Sequence, residues 1–146
     1  MTIIEKQMDL FDVSNDYILV HCISSDFALG AGIAKQFTKR GVKKYLQTHF
    51  YSVWNGNGYC IASPIENYRG VFNLVTKERY YNKPTYETLT QSLIEMKYQT
   101  QRLKGKIKLA MPRIGCGLDR LEWEKVKEII EEIFYDTDIS ILVCYL

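Results

Sequence analysis

The sequence predicts an α/β domain in which a mixed, largely parallel sheet lies between helical layers. Three observations predict it: apolar runs of strand length, helix-period stretches alternating with them, and glycine-rich loops just past two of those runs. Parallel strands need crossover connections, and the helical stretches supply them.

In chain order, Thr2 to Lys6 reads as a strand, and Tyr17 to Ser24 as a second, nearly continuous apolar one of the kind covered on both faces. The turn Ala28-Leu29-Gly30-Ala31-Gly32 opens a helical stretch from Ile33, with Phe37 and Tyr45-Leu46 at helix-compatible spacing and Gly41 as its interruption. Asn55-Gly56-Asn57-Gly58 is the strongest turn signal, and Tyr59 to Ser63 and Gly70 to Thr76 follow as strands joined by a polar loop. Pro84-Thr85 starts a helix whose apolar stripe runs through Tyr86, Leu89, Leu93, Met96 and Leu103, ending near Gly105. Ile107 to Met111 is the next strand. Trp123, Val126, Ile129, Ile130, Ile133 and Phe134 form a second stripe, and Ile139 to Leu146 closes as a strand.

A length of 146 residues suits one domain spanning 1–146, and 47% apolar with 25% charged residues excludes a disordered or collagen-like chain. The longest apolar run, Ile141 to Leu146, is far short of the roughly 20 residues that cross a bilayer, so no membrane partner is expected. MTIIEKQMDLFD has carboxylates and no apolar signal core, so an intracellular protein is expected. Cys22, Cys60, Cys116 and Cys144 are too widely spaced for a metal knuckle, and His21 and His49 form no metal pattern. No metal site is expected. Lys35, Lys39, Arg40, Lys43 and Lys44 crowd one stretch while Glu122 to Asp138 is acidic, so the surface is polarised despite a net charge of only +2.

Ligands in such sheets bind beyond the carboxyl ends of the strands, which selects the loops after Ser24, Thr76 and Met111. In Ser24 to Ile33, two glycines free the backbone and the following helix offers unpaired N–H groups; the loop is either an anion cradle or a plain tight turn. Pro112 to Asp119 repeats the design, and two such loops at neighbouring strand ends suit two linked phosphates. Neither GxxxxGK[ST] nor the full GxGxxG pattern is present, which argues against an ATP-hydrolysing P-loop or a dinucleotide fold.

Lys77 stands at a strand end, either as a nucleophile in the same crevice or as a solvated lysine. Asp119 is either a catalytic carboxylate or a helix-start charge. His21 and Cys22 read as packed core rather than a dyad, and Cys116, between glycines, is either a small packed hydrophobe like the other cysteines or the one candidate for a reactive thiol. Tyr80 and Tyr81 with Arg79 and Lys83, and Tyr45 with Lys43 and Lys44, are either stacking positions for a base or amphipathic surface.

Three strings, HCISSDFALGAGIAKQF (His21 to Phe37), LVTKERYYNKPTYETL (Leu74 to Leu89) and MPRIGCGLDRLEWEKV (Met111 to Val126), resemble the macrodomain family, in its terminal ADP-ribose protein glycohydrolase type, the ALC-like branch. The resemblance covers essentially the whole chain. It implies a three-layer α/β/α macrodomain with a mixed central sheet, ADP-ribose as ligand, and no cofactor. It further implies that Asp9 and Leu10 lie at the adenine, with Leu146 closing that pocket. Ser24 and Gly30, Ala31, Gly32 and Ile33 would line the distal side, beside Thr76, and Arg113, Ile114, Gly115, Cys116, Gly117 and Leu118 would surround the phosphates and distal ribose. Lys77 matches the family's catalytic lysine, which forms a transient lysyl-ADP-ribose adduct, and Asp119 matches its acidic partner. Met8 replaces a glycine common before the adenine-contacting aspartate, and Phe27-Ala28-Leu29 makes the first loop unusually apolar.

The expected activity is removal of ADP-ribose from glutamate or aspartate esters on protein, or from ADP-ribosylated nucleic acid, by a monomer. The alternatives are a non-catalytic ADP-ribose-binding module and a hydrolase of small derivatives such as ADP-ribose phosphate or O-acetyl-ADP-ribose.

Overall fold

The computed structural model describes all of residues 1–146. Six strands form one sheet: β1 (Thr2–Gln7), β2 (Ile18–Ser24), β3 (Tyr59–Ser63), β4 (Gly70–Lys77), β5 (Lys108–Met111) and β6 (Ser140–Tyr145), in the spatial order β1-β6-β5-β2-β4-β3. Every neighbouring pair is parallel except β3 against β4, so the sheet is mixed, as the alternation of elements predicts. The helices are α1 (Ala34–Lys39), α2 (Val42–His49), α3 (Tyr86–Thr100) and α4 (Trp123–Phe134).

Strand alternation distributes the core to both faces of the sheet. Ile18 and Val20 of β2 and Phe72 and Leu74 of β4 pack with Leu89, Leu93 and Met96 of α3 and with Val126, Ile130 and Phe134 of α4. Leu19 and Ile23, Val71 and Val75 face the other way, onto Phe37 of α1 and Val42 and Leu46 of α2. These are the three layers of an α/β/α domain. Each fully buried side chain of this size contributes about 1.5–3 kcal/mol, which is the main force holding helices to sheet.

Several boundaries differ from the sequence reading for local reasons. Gly41, at φ +88°, divides the stretch after Ile33 into α1 and α2. The third helix stops at Thr100, so Leu103 lies on a turn and not on the apolar stripe. The second strand begins at Ile18, the fifth at Lys108, and the fourth runs on through Lys77. A 3-10 turn at Leu10–Asp12, capped by Asp9 Oδ1 accepting from the Phe11 N–H at 2.9 Å, has no periodicity to announce it.

The start of α3 is a reciprocal cap. Thr85 Oγ1 accepts from Thr88 N at 3.0 Å and Thr88 Oγ1 accepts from Thr85 N at 3.1 Å, satisfying donors that the first turn leaves unpaired. Gly58, in the turn before β3, lies flush against this cap: a Cβ there would stand 1.9 Å from the Thr88 carbonyl oxygen. Its own N–H donates to Gln91 Oε1 at 2.7 Å, so the turn is docked on α3 through its backbone.

Candidate active site

The carboxyl ends of β2, β4 and β5 open into one cavity of about 820 Å³. Of the residues singled out in the sequence, Ser24, Gly30, Ala31, Gly32, Ile33, Lys77, Arg113, Ile114, Gly115, Cys116, Gly117, Leu118 and Asp119 all line it. Asp9, Leu10, Thr76 and Leu146 do not. Leu10 is buried, Leu146 is exposed, and both adjoin the end of β6, where the Met8 N–H donates to the Tyr145 carbonyl at 2.8 Å. Thr76 is buried beneath the site with its hydroxyl lacking a partner.

The first wall is the β2–α1 loop. Phe27 and Leu29 hold left-handed backbone angles, φ +54° and +41°, a conformation that costs a non-glycine residue about 1–3 kcal/mol. Their side chains, 2% and 5% exposed, are driven into the core with Phe37 and Leu46, and that burial offsets the strain. The apolar departure Phe27-Ala28-Leu29 therefore anchors the loop from beneath. Gly32, at φ +58°, continues the turn into α1.

The opposite wall is the β5–α4 loop. Gly115 sits at φ +75°, which favours glycine, and a Cβ on it would press on Leu121 Cδ1 at 3.0 Å. The Leu121 N–H bonds back to the Gly115 carbonyl at 2.7 Å, closing the loop on itself. Leu118 Cδ1 reaches to within 3.9 Å of where a Gly32 Cβ would be, so the two glycine loops approach each other across the cavity.

The floor belongs to β4. Strand pairing puts Ile23 opposite Val75 but Ser24 opposite Lys77, a bulge that leaves Thr76 as the extra residue. Bulges of this kind re-aim the next side chain, and Lys77 Nζ meets Asp119 Oδ1 at 2.6 Å, with side chains only 13% and 16% exposed. Lys83, on the loop after β4, donates to the Leu118 carbonyl at 2.6 Å and so ties the Asp119 loop to the strand that carries Lys77. That tie links residues 35 apart in sequence and is invisible there.

Arg113 lies toward the far edge. Its guanidinium rests 4.4 Å from the Tyr145 ring centroid and 3.3 Å from Glu5 Oε1. Glu5 also accepts from Lys127 Nζ at 3.0 Å and Trp123 Nε1 at 2.9 Å. The bond from Lys127 above all, against some desolvation, keeps the Glu5 carboxyl below its usual range.

The thiols at the site are not activated. Burial pushes Cys116 up to about 11, with Arg113 pulling down and Asp119 pushing up, and burial likewise raises Cys22. The Cys116 thiol donates to the Ile114 carbonyl at 3.3 Å, and its raised pKa favours the protonated form. His21 is fully buried, stacked on Phe37 at 3.7 Å between ring centroids, with Nε2 2.6 Å from Asn73 Oδ1. Since Asn73 Nδ2 donates to the Ile61 carbonyl and to Ser63 Oγ, its Oδ1 is an acceptor, which puts the imidazole proton on Nε2 and leaves Nδ1 bare and without a partner. Burial holds the ring neutral, lowering it to about 4. No group of three or more His, Cys, Asp or Glu side chains is placed to hold a metal ion.

At the rim, Tyr80 and Tyr81 are 67% and 68% exposed and meet edge to face at 5.3 Å, and Tyr80 lines the cavity.

No protein-family model matches the chain. Two curated relatives do: the ADP-ribose glycohydrolase OARD1 of Bos taurus, 47% identical over 92% of this chain and 86% of that protein, and that of Homo sapiens, 45% identical over the same shares. Among solved structures, the macrodomain of Mycobacterium tuberculosis DarG superposes with a TM-score of 0.80 at 20% identity, covering 99% of this chain and 98% of that one. Thermosipho africanus DarTG in complex with ADP-ribose superposes at 0.66 with 20% identity, covering 98% of this chain and 41% of that one. Structural likeness at this identity speaks for the fold, and the sequence identity to the two relatives speaks for descent. The chain is a macrodomain and belongs to the family of the ADP-ribose glycohydrolase OARD1.

Proposed function

We propose that the chain releases ADP-ribose from ester-linked protein carboxylates through a transient lysyl-ADP-ribose adduct on Lys77, with Asp119 as its proton acceptor. The broader activity follows from family membership: an ADP-ribose-binding macrodomain hydrolase that removes ADP-ribose from a modified substrate. The observation that carries the finer reading is the 2.6 Å contact between Lys77 Nζ and Asp119 Oδ1 inside the glycine-walled cavity.

The backbone N–H groups of Gly30 to Ile33 and of Gly115 to Leu118 suit the diphosphate, and an anion held there presents the distal ribose to Lys77. Lys77 Nζ passes a proton to Asp119 and its lone pair attacks the anomeric carbon. The bond from that carbon to the ester oxygen breaks, and the carboxylate leaves with the electron pair, needing no proton of its own. Water then attacks the same carbon and the carbon–nitrogen bond breaks with its electron pair returning to Nζ; one water proton passes to the freed amine and Asp119 gives up its proton to solvent, which restores the Lys77–Asp119 pair and releases ADP-ribose. The reading needs no cofactor. It places the protein inside the cell as a monomer, and its four free cysteines suit a reducing compartment.

A second reading takes ADP-ribosylated nucleic acid as the substrate. The exposed Tyr80 and Tyr81, with Arg79 and Lys83 beside them at the rim, support it, because aromatic faces among cations bind bases and phosphates.

The test is release of ADP-ribose from glutamyl-ADP-ribosylated protein and from ADP-ribosylated DNA by the wild type, Lys77→Ala and Asp119→Ala. Activity lost in both variants with ADP-ribose binding retained supports the two roles. Unchanged turnover by Lys77→Ala rules out the adduct, and a wild type that binds ADP-ribose but releases none is a binding module.

A further inference from the structure

The segment that carries Lys77 is hung on the β2–α1 loop by bonds that converge on one short stretch. The Ser25 N–H donates to the Lys77 carbonyl at 2.9 Å and Ser25 Oγ donates to the Glu78 carbonyl at 2.8 Å. Asp26 completes the tie. Its Oδ1 accepts from Ser24 Oγ at 2.5 Å and from the Ala28 N–H at 3.1 Å, both in its own loop, while Oδ2 accepts from the Tyr80 N–H at 3.0 Å, across the gap.

We propose that Asp26 is a positioning residue for turnover, whose carboxylate locks the β4–α3 loop to the first glycine loop and so sets the reach of Lys77 to the distal ribose. A carboxylate is the only side chain of this length that accepts on both oxygens, and the three donors here ask for that. Burial alone would raise this carboxyl, yet the bonds from Ser24, Tyr80 and Ala28, with the charge of Arg79, more than reverse it and keep the group ionised. Misplacing a reacting group by about 1 Å costs on the order of 100-fold in rate, whereas the diphosphate, held by glycine-loop N–H groups, does not depend on the Tyr80 bond. Asp26 touches no reacting atom in this scheme, since it acts through the loop that follows Lys77. The inference rests on the proposed role of Lys77.

The experiment measures kcat, KM and the Kd for free ADP-ribose in the wild type, Asp26→Asn, Asp26→Ala and Lys77→Ala. Asparagine keeps one oxygen for Ser24 and Ala28 but turns an amide N–H toward the Tyr80 N–H, so it cuts only the bond between the loops. The expected result is a fall in kcat of about 10-fold in Asp26→Asn, with its Kd within about threefold of the wild type, and of about 100-fold in Asp26→Ala, which also loses the bonds within the glycine loop. An unchanged kcat in Asp26→Asn overturns the inference. A Kd that weakens in step with the loss of kcat/KM also overturns it, because Asp26 then only shapes the ligand loop. If Lys77→Ala itself turns over, the reading of Lys77 fails instead, whatever the Asp26 variants do.

Discussion

Lys77 Nζ and Asp119 Oδ1 meet at 2.6 Å although 42 residues separate them, one at the end of β4 and the other past the glycines that follow β5. The contact exists because β2 lies between those two strands in the sheet and a bulge at Thr76 re-aims the next side chain. Removing either partner tests the chemistry directly: Lys77→Ala and Asp119→Asn are each expected to lower kcat by about 10²–10⁴-fold. Calorimetry should show free ADP-ribose still bound.

Glycine substitutions should separate loop function from fold stability. Gly115→Ala meets both a left-handed φ and Leu121 Cδ1 at 3.0 Å, so stability should fall by about 1–3 kcal/mol and ADP-ribose affinity should fall with it. Gly58→Ala drives a Cβ onto the Thr88 carbonyl, and neither residue lines the cavity, so it should lower the denaturant midpoint and leave affinity for any folded fraction untouched.

Acid sensitivity should trace to His21. Its pKa is about 4 in the folded state against an ordinary value near 6.5, so between those pH values the unfolded chain binds a proton that the folded chain refuses. Stability is therefore complete above about pH 6.5 and declines as pH falls toward 4, by about 3 kcal/mol in all. Denaturant midpoints across that window should show the slope, and His21→Gln, which still donates to Asn73, should flatten it.

The rim tyrosines should reveal the substrate. If ADP-ribosylated DNA is the better substrate, Tyr80→Ala and Tyr81→Ala should each lower kcat/KM for it by about 10-fold, the worth of about 1–3 kcal/mol of base stacking, and leave a glutamyl conjugate unaffected. Equal effects on both substrates would assign the pair to the loop's shape.

Capping at α3 offers a check on the scaffold alone. Thr85→Ala removes an acceptor for Thr88 N and should cost about 1 kcal/mol, read as a shift in denaturant midpoint with kcat unchanged.

Much of this architecture is legible in the chain because it is locally encoded. The apolar run Ile18 to Ser24, the Pro84-Thr85 start of α3 and the stripe from Val126 to Phe134 are set by periodicity and capping, which depend on neighbours a few residues away. Gly41 is legible for the same reason, as is the pair of glycine loops. Leu103 misleads because an apolar residue seven positions past Met96 matches the helical period even where the chain has already turned away. The resemblance carried by His21 to Phe37, Leu74 to Leu89 and Met111 to Val126 named the family that the relatives then established.

Tertiary structure alone decided which members of that pattern touch. Cys116, in the loop after β5, and Lys77, at the end of β4, both line the cavity, and only packing decided that burial raises the thiol while Asp119 holds the amine. Asp26 reads in sequence as one loop aspartate among several, yet its second oxygen is spent on Tyr80, 54 positions away. Periodicity and turn chemistry are short-range and so are written in the order of residues. Hydrogen bonds between strand-end loops depend on sheet order, a one-residue bulge and the depth to which Phe27 and Leu29 sink, and those are set only when the two faces of the sheet are packed.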